Sequence, residues 1–231
     1  MPGDNIDMLQ TVAAGLEELK DYIVFIGGAV AELYADDPAS SDIRPTQDID
    51  CTIELSLYKE LTELENDLRV KGFANDTSQG APICRWIYNG IKVDVMPTGK
   101  NVFGFYNQWY SGGVGNKISK TLPNGTEIFV FPPEYYLASK FEAHNDRGGN
   151  DLRQSHDFED IIYILDNCTS ILEDIRNADE GVKKFLKDGC KRLFANDGIS
   201  EGIKSALPYG SDSERVEIIE ALISGIAELE F

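Results

Sequence analysis

The sequence predicts an α+β fold: a mixed β-sheet flanked by helices, followed by a C-terminal helical bundle. Three observations carry that expectation. Between residues 22 and 131, short apolar or alternating runs are separated by Gly, Asn and Pro, the pattern of strands. Asn89-Gly90 stands between two such runs and is the strongest short signal for a hairpin. After Pro132-Pro133 the pattern changes to segments with helical spacing that continue to the C-terminus. A boundary at that point gives a first domain over residues 1–131 and a helical second domain over residues 132–231.

The elements follow in order. Residues 5–20 form an amphipathic helix pattern, with Ile6, Leu9, Val12, Leu16 and Leu19 on one side. Residues 22–26 are a continuous apolar run, as expected of a buried strand. Gly27-Gly28 ends it, and residues 29–34 read as a helix starting at once. Residues 36–45 hold two prolines and read as a loop. Residues 48–55 are the next strand and 57–70 the next helix. Residues 83–88 and 91–96 flank the Asn89-Gly90 turn. Further strands are expected over 116–121 and 127–131, joined by a turn at Pro123-Asn124-Gly125. Helices are expected over 133–144, 151–167, 169–177, 180–195 and 211–229.

Composition limits the function classes. The 231 residues suffice for one large or two small cores, and the apolar share is 42%. No apolar run has the length of a membrane span, and the acidic N-terminus lacks a secretory pattern. A cytoplasmic protein without a membrane partner is expected. The formal net charge of −19 argues against nonspecific nucleic-acid binding. The stripe Lys183, Lys184, Lys187, Lys191 and Arg192 is either a local basic patch or a solvated helix face. Cys51, Cys84, Cys168 and Cys190 are scattered, and a structural zinc site is not expected.

Chemistry concentrates at Asp48-Ile49-Asp50. Carboxylates at i and i+2 on a strand share a face, and like charges that close call for a cation between them. A divalent cation with hard oxygen ligands, Mg²⁺ first, is the usual solution. Asp94 lies in Ile91-Lys92-Val93-Asp94-Val95-Met96, a strand able to pair beside Asp48 and Asp50 and supply a third carboxylate. Taken alone, Asp94 is equally well an exposed strand acid. Gly27-Gly28 after a strand permits close approach of a ligand, and a following helix N-terminus suits phosphate. A plain tight turn is the alternative. Gly112-Gly113-Val114-Gly115-Asn116-Lys117 superficially suggests a phosphate loop, but lacks Lys-Ser/Thr at the required spacing and reads as a flexible loop. The aromatic run Phe103, Phe105, Tyr106, Trp109 and Tyr110 either stacks on a base or packs internally, with packing the better reading.

Gly27-Gly28, then Arg44-x-Thr46-x-Asp48-Ile49-Asp50, then Lys92-Val93-Asp94, together resemble the nucleotidyltransferase superfamily of the polymerase β type. Within it the chain is most similar to the AbiEii-like nucleotidyltransferases of toxin–antitoxin and phage-defence systems. Residues 133–143, Pro-Glu-Tyr-Tyr-Leu-Ala-Ser-Lys-Phe-Glu-Ala, and 155–161, Ser-His-Asp-Phe-Glu-Asp-Ile, support that branch. The resemblance covers residues 24–165. It departs at Gly27-Gly28, where the wider superfamily usually has Gly-Ser, and in the inserted loop 36–45.

The resemblance implies a nucleotidyltransferase-type sheet and transfer of an NMP from an NTP to a hydroxyl, with release of pyrophosphate. Asp48, Asp50 and Asp94 would be the catalytic and metal-holding carboxylates, with two Mg²⁺ ions, or Mn²⁺ in their place. Gly27, Gly28, Thr46, Lys140 and Asp157 would bind nucleotide, ATP among the candidates, and the helical domain would complete the site and acceptor cleft. Lys140 has a second reading as a snorkelling lysine, and Asp157 as a helix cap. Arg44 and Thr46 brace the start of the strand or touch phosphate; Arg147 pairs with nearby acids. Arg85 faces either nucleotide or solvent. The acceptor is a tRNA, a protein or a small molecule, and a toxin would have an antitoxin partner. The alternative is a catalytically silent nucleotide-binding or partner-binding module of the same fold.

Overall fold

The computed structural model describes residues 4–36, 40, 43–55, 57–99, 103 and 107–230. The chain divides into two compact units, Met1–Leu33 with Arg44–Pro132, and Tyr34–Ile43 with Pro133–Phe231.

The first unit is built on a seven-stranded mixed sheet. Its strands are β1 (Ile23–Ile26), β2 (Asp48–Ile53), β3 (Ala74–Asn75), β4 (Arg85–Tyr88), β5 (Ile91–Pro97), β6 (Ile118–Thr121) and β7 (Glu127–Val130). Their order across the sheet is β3-β4-β5-β2-β1-β7-β6. β1 is buried along its whole length, as its unbroken apolar run requires. It runs antiparallel to β2 and parallel to β7, while β2 and β5 are parallel.

Helix α1 (Asn5–Leu16) starts at Asp4, whose side chain accepts from the Ile6 N–H, and buries Leu9, Val12 and Leu16. The helix expected to reach residue 20 stops earlier. Glu17 takes a positive φ of 51°, and Glu17–Asp21 continues as a 3₁₀ turn. Helix α2 (Tyr58–Val70) buries Leu61, Leu64 and Leu68. The segment after β1 is a 3₁₀ helix, Gly28–Tyr34, rather than an α-helix.

The glycine-rich stretch expected to be a flexible loop is instead helical, α3 (Tyr110–Gly115). Packing explains the difference: a Cβ on Gly113 would stand 2.6 Å from a Phe131 ring carbon, so the glycine lets this helix sit directly on Phe131. Tyr110 meets the same ring edge-on, at 5.8 Å between centroids. Phe105 and Tyr106 of the aromatic run lie outside the described residues, as do parts of the 36–45 loop.

The second unit is helical: α4 (Pro133–Arg147), α5 (His156–Asn167), α6 (Ile171–Asn177), α7 (Glu180–Phe194), α8 (Ile199–Ala206) and α9 (Ser213–Ala227). Its core includes Tyr136, Phe141, Phe158, Ile161, Leu186, Ile203 and Ile223. The single helix expected over 151–167 is broken at Ser155. Leu152–Gln154 forms a 3₁₀ turn, and the Ser155 hydroxyl caps α5 by accepting from the Phe158 N–H. Helix α8 was not expected from the sequence. Its Gly202 packs against Leu152, where a Cβ would come within 2.8 Å.

Candidate active site

In the first unit, strand pairing brings three acids to one face. Asp48 and Asp50 alternate with buried Ile49 on β2. In the parallel ladder Asp50 is the partner of Asp94 on β5, and Asp48 is the partner of Lys92. Paired residues project to the same side of a sheet, so Asp48, Asp50, Asp94 and Lys92 share a face. Val93 and Val95 go to the buried opposite face.

Gly27 closes the far side. It follows Ile26, the antiparallel partner of Asp50, and takes φ of +75°. A Cβ there would stand 2.0 Å from Asp50 Oδ2. Glycine is therefore required twice, for the left-handed turn and for the space the Asp50 carboxylate fills.

Asp48 is held by the loop before it. The Thr46 hydroxyl lies 3.2 Å from Asp48 Oδ1 and 3.3 Å from its carbonyl oxygen. Thr46 is buried, and its N–H donates to Asn5 Oδ1 at 2.9 Å. Asn5 Nδ2 in turn donates to the Arg44 carbonyl at 3.2 Å. The bracing reading of Arg44 and Thr46 thus has a geometric basis: the first residue of α1 fixes the approach to β2. No motif in the sequence points to Asn5. Only its side-chain chemistry, an amide that both donates and accepts at a helix start, marks it.

Arg85, which the sequence alone allows to face either nucleotide or solvent, turns to the acids. It stands opposite Asp94 in the β4–β5 hairpin. Its Nε donates to Asp94 Oδ1 at 2.7 Å and its Nη2 to Asp94 Oδ2 at 2.7 Å. The same Nη2 reaches Asp48 Oδ2 at 3.0 Å. The hydrogen bonds to Asp94, against the opposing effect of burial, push the guanidinium above its ordinary range. The hairpin itself contained the signal. A two-residue turn pairs Tyr88 with Ile91, and counting outward puts Arg85 across from Asp94.

The donor set fits a hard divalent cation in kind, with carboxylate oxygens on adjacent strands and a glycine that makes room for one of them. As they stand, Arg85 engages two of the three acids. Among the described residues, no group of three or more His, Cys, Asp or Glu side chains forms a ready-made metal site. The thiols are all buried, and burial, with the nearby Asp94 charge, pushes Cys84 up to about 12.

Lys140 and Asp157 belong to the second unit, in a buried ion-pair cluster. Lys140 Nζ lies 2.7 Å from Asp160 Oδ2 and 3.6 Å from Asp157 Oδ1, with the lysine side chain 8% exposed. The ammonium is therefore enclosed among acids, and Lys140 does not snorkel to solvent. Asp157 sits in the first turn of α5, but Ser155 caps that helix, so the capping reading of Asp157 does not hold. Asp157 accepts a fork from Arg147, with Nε at 2.7 Å and Nη2 at 3.0 Å. Burial alone would raise its pKa, but Arg147 and Lys140 prevail and lower it.

No model of a protein family matches the chain, and no curated protein matches it either. Solved structures do. One is the antibiotic-resistance factor ANT(2'')-Ia in solution, 13% identical, covering 97% of this chain and 94% of that one at a TM-score of 0.43. A chain described as a nucleotidyltransferase from H. pylori is 11% identical, with 99% and 96% covered and a TM-score of 0.47. ANT(2'')-Ia in a crystalline complex with adenylyl-2''-tobramycin is 13% identical, with 96% and 98% covered and a TM-score of 0.42. Among the described residues no helix is long and apolar enough to cross a membrane.

Proposed function

We propose that the chain is a nucleotidyltransferase that moves an NMP from an NTP to a hydroxyl. The observation that carries this reading is the register of β2 and β5, which sets Asp94 beside Asp50 and puts Asp48 on the same face. Asp48, Asp50 and Asp94 would hold Mg²⁺, or Mn²⁺. When bound, such ions supply charge neutralisation for the triphosphate and lower the pKa of an acceptor hydroxyl. The acceptor oxygen forms a bond to the α-phosphorus as the bond to the bridging oxygen breaks, and pyrophosphate leaves. Gly27 and Thr46 position the acids, Gly27 by leaving space for Asp50 and Thr46 through its hydroxyl on Asp48. Nucleotide contacts by Gly27, Gly28, Thr46, Lys140 and Asp157 rest on the family resemblance.

A small cationic molecule or a protein hydroxyl suits the net charge of −19 better than a tRNA. A toxin or defence role of the AbiEii-like kind, with an antitoxin partner, rests on the resemblance alone. One observation favours a second reading, a catalytically silent nucleotide-binding module: Arg85 already neutralises part of the acidic cluster.

The test incubates the protein with labelled NTPs, Mg²⁺ and cell extract fractionated into RNA, protein and small molecules. Transfer of label that disappears in Asp48→Asn and Asp50→Asn supports the enzyme. Binding of NTP without label on any fraction supports the silent module.

A further inference from the structure

Arg85 places a fixed positive charge where the acids of the first unit most need one. Its fork takes both oxygens of Asp94, and its Nη2 also bridges to Asp48. The contacts are shielded: the side chains of Arg85, Asp94 and Asp48 are 17%, 10% and 29% exposed. Asp48, Asp50 and Asp94 together carry three negative charges, and Arg85 returns one positive. A planar guanidinium and a hard cation compete for the same carboxylate lone pairs. A cation seated on Asp48 and Asp94 would also face the charge of Arg85 at close range.

We propose that Arg85 is the built-in counter-ion of this cluster: it positions Asp48 and Asp94 in the absence of metal and competes with a divalent cation for both. The inference rests on the reading of these acids as metal ligands, and concerns how that site is loaded. The role is one of positioning, since Arg85 acts through Asp94 and Asp48. Lys92 supplies the comparison. It projects from the same face as the partner of Asp48, so it contributes charge without the fork.

The experiment measures Mn²⁺ binding to the full chain without nucleotide, from the free-Mn²⁺ paramagnetic resonance signal, alongside thermal unfolding. For Arg85→Gln the expected Kd is lower than that of the unaltered protein by about tenfold or more, the size of one short-range charge interaction. Lys92→Gln is expected to change Kd less. The metal-free midpoint of Arg85→Gln should fall and be restored by Mn²⁺. An unchanged or higher Kd in Arg85→Gln overturns the proposal, as does an equal tightening in both variants. If Arg85→Gln does not fold, Arg85→Lys keeps the charge and loses the fork. A tighter Kd there supports the competition, and an unaltered one overturns it. Failure of the functional reading is separable. Tightened Mn²⁺ binding without nucleotide transfer to any acceptor sinks the transferase and leaves the counter-ion standing. Transfer with an unchanged Kd does the reverse.

Discussion

At Gly27 two constraints fall on one residue, and one substitution tests them through two readouts. Its φ of +75° disfavours any L side chain, while the 2.0 Å approach to Asp50 Oδ2 forbids a Cβ unless the acid moves. Gly27→Ala should therefore destabilise the first unit by about 1–3 kcal/mol through the backbone, read as a lower urea midpoint. Under the proposed function it should also impair nucleotide transfer beyond what that loss explains, because Asp50 is displaced. A variant as active as the unaltered protein would show that the position of Asp50 is immaterial. Thr46 offers a milder case: Thr46→Val keeps the shape and loses the donor to Asp48, with an expected cost of about 1 kcal/mol. The shared face of Asp48 and Asp50 is legible in the sequence, because alternation on a strand needs no tertiary information, whereas Asp94 joins them only through the pairing of β2 with β5. Their supports, Asn5 and Arg85, were harder to find. Asn5 acts on Thr46 across 41 positions of sequence, a partnership that local patterns do not encode.

At the scale of elements, the β4–β5 hairpin sets the charge arrangement of the candidate site. Asn89 and Gly90 both have positive φ, 49° and 81°, as a type I′ turn requires. That turn fixes the register, and the register fixes Arg85 opposite Asp94. Gly90→Val puts a β-branched residue in the left-handed region and should cost about 1–2 kcal/mol, measured by chemical denaturation. Asn89→Gly, which tolerates the same geometry, should cost less. If the two cost the same, the turn does not control the stability of the hairpin. The strands were largely visible as alternating or apolar runs bounded by turn residues. The helix boundaries were less so, for identifiable reasons. A positive φ at Glu17 ends α1 early, and Ser155 offers α5 a cap inside what the sequence pattern presents as one continuous segment. Gly112–Gly115 became helical because Phe131 supplies packing that glycine propensity alone would not predict.

For the molecule as a whole, stability against acid is the property in which the buried groups of the second unit should declare themselves. Lys140, Asp157 and Asp160 are each less than 10% exposed in their side chains, so breaking the set leaves a charge without its buried partner. Lys140→Met should destabilise by about 3–5 kcal/mol, the usual cost of removing one member of a buried pair. Asp157 is ionised in the folded chain to a pH below its ordinary range. Its contribution is complete above about pH 4 and is lost as pH falls through the lowered folded value. His144 acts earlier. Burial lowers its pKa, opposed by the charge of Asp157, and its Nδ1 lies 2.8 Å from the Ser155 hydroxyl. A histidine whose folded pKa is depressed binds fewer protons folded than unfolded, so stability is complete above about pH 6.5 and declines as pH falls below it. The decline continues down to the folded pKa and then levels off. Unfolding midpoints measured from pH 8 to pH 3 should therefore fall in two stages, the first belonging to His144 and the second including Asp157. His144→Gln removes the titrating group and should flatten the first stage, whatever it does to the absolute midpoint. If the slope between pH 6.5 and the second stage is the same in His144→Gln, the buried imidazole is not the source of the early acid sensitivity.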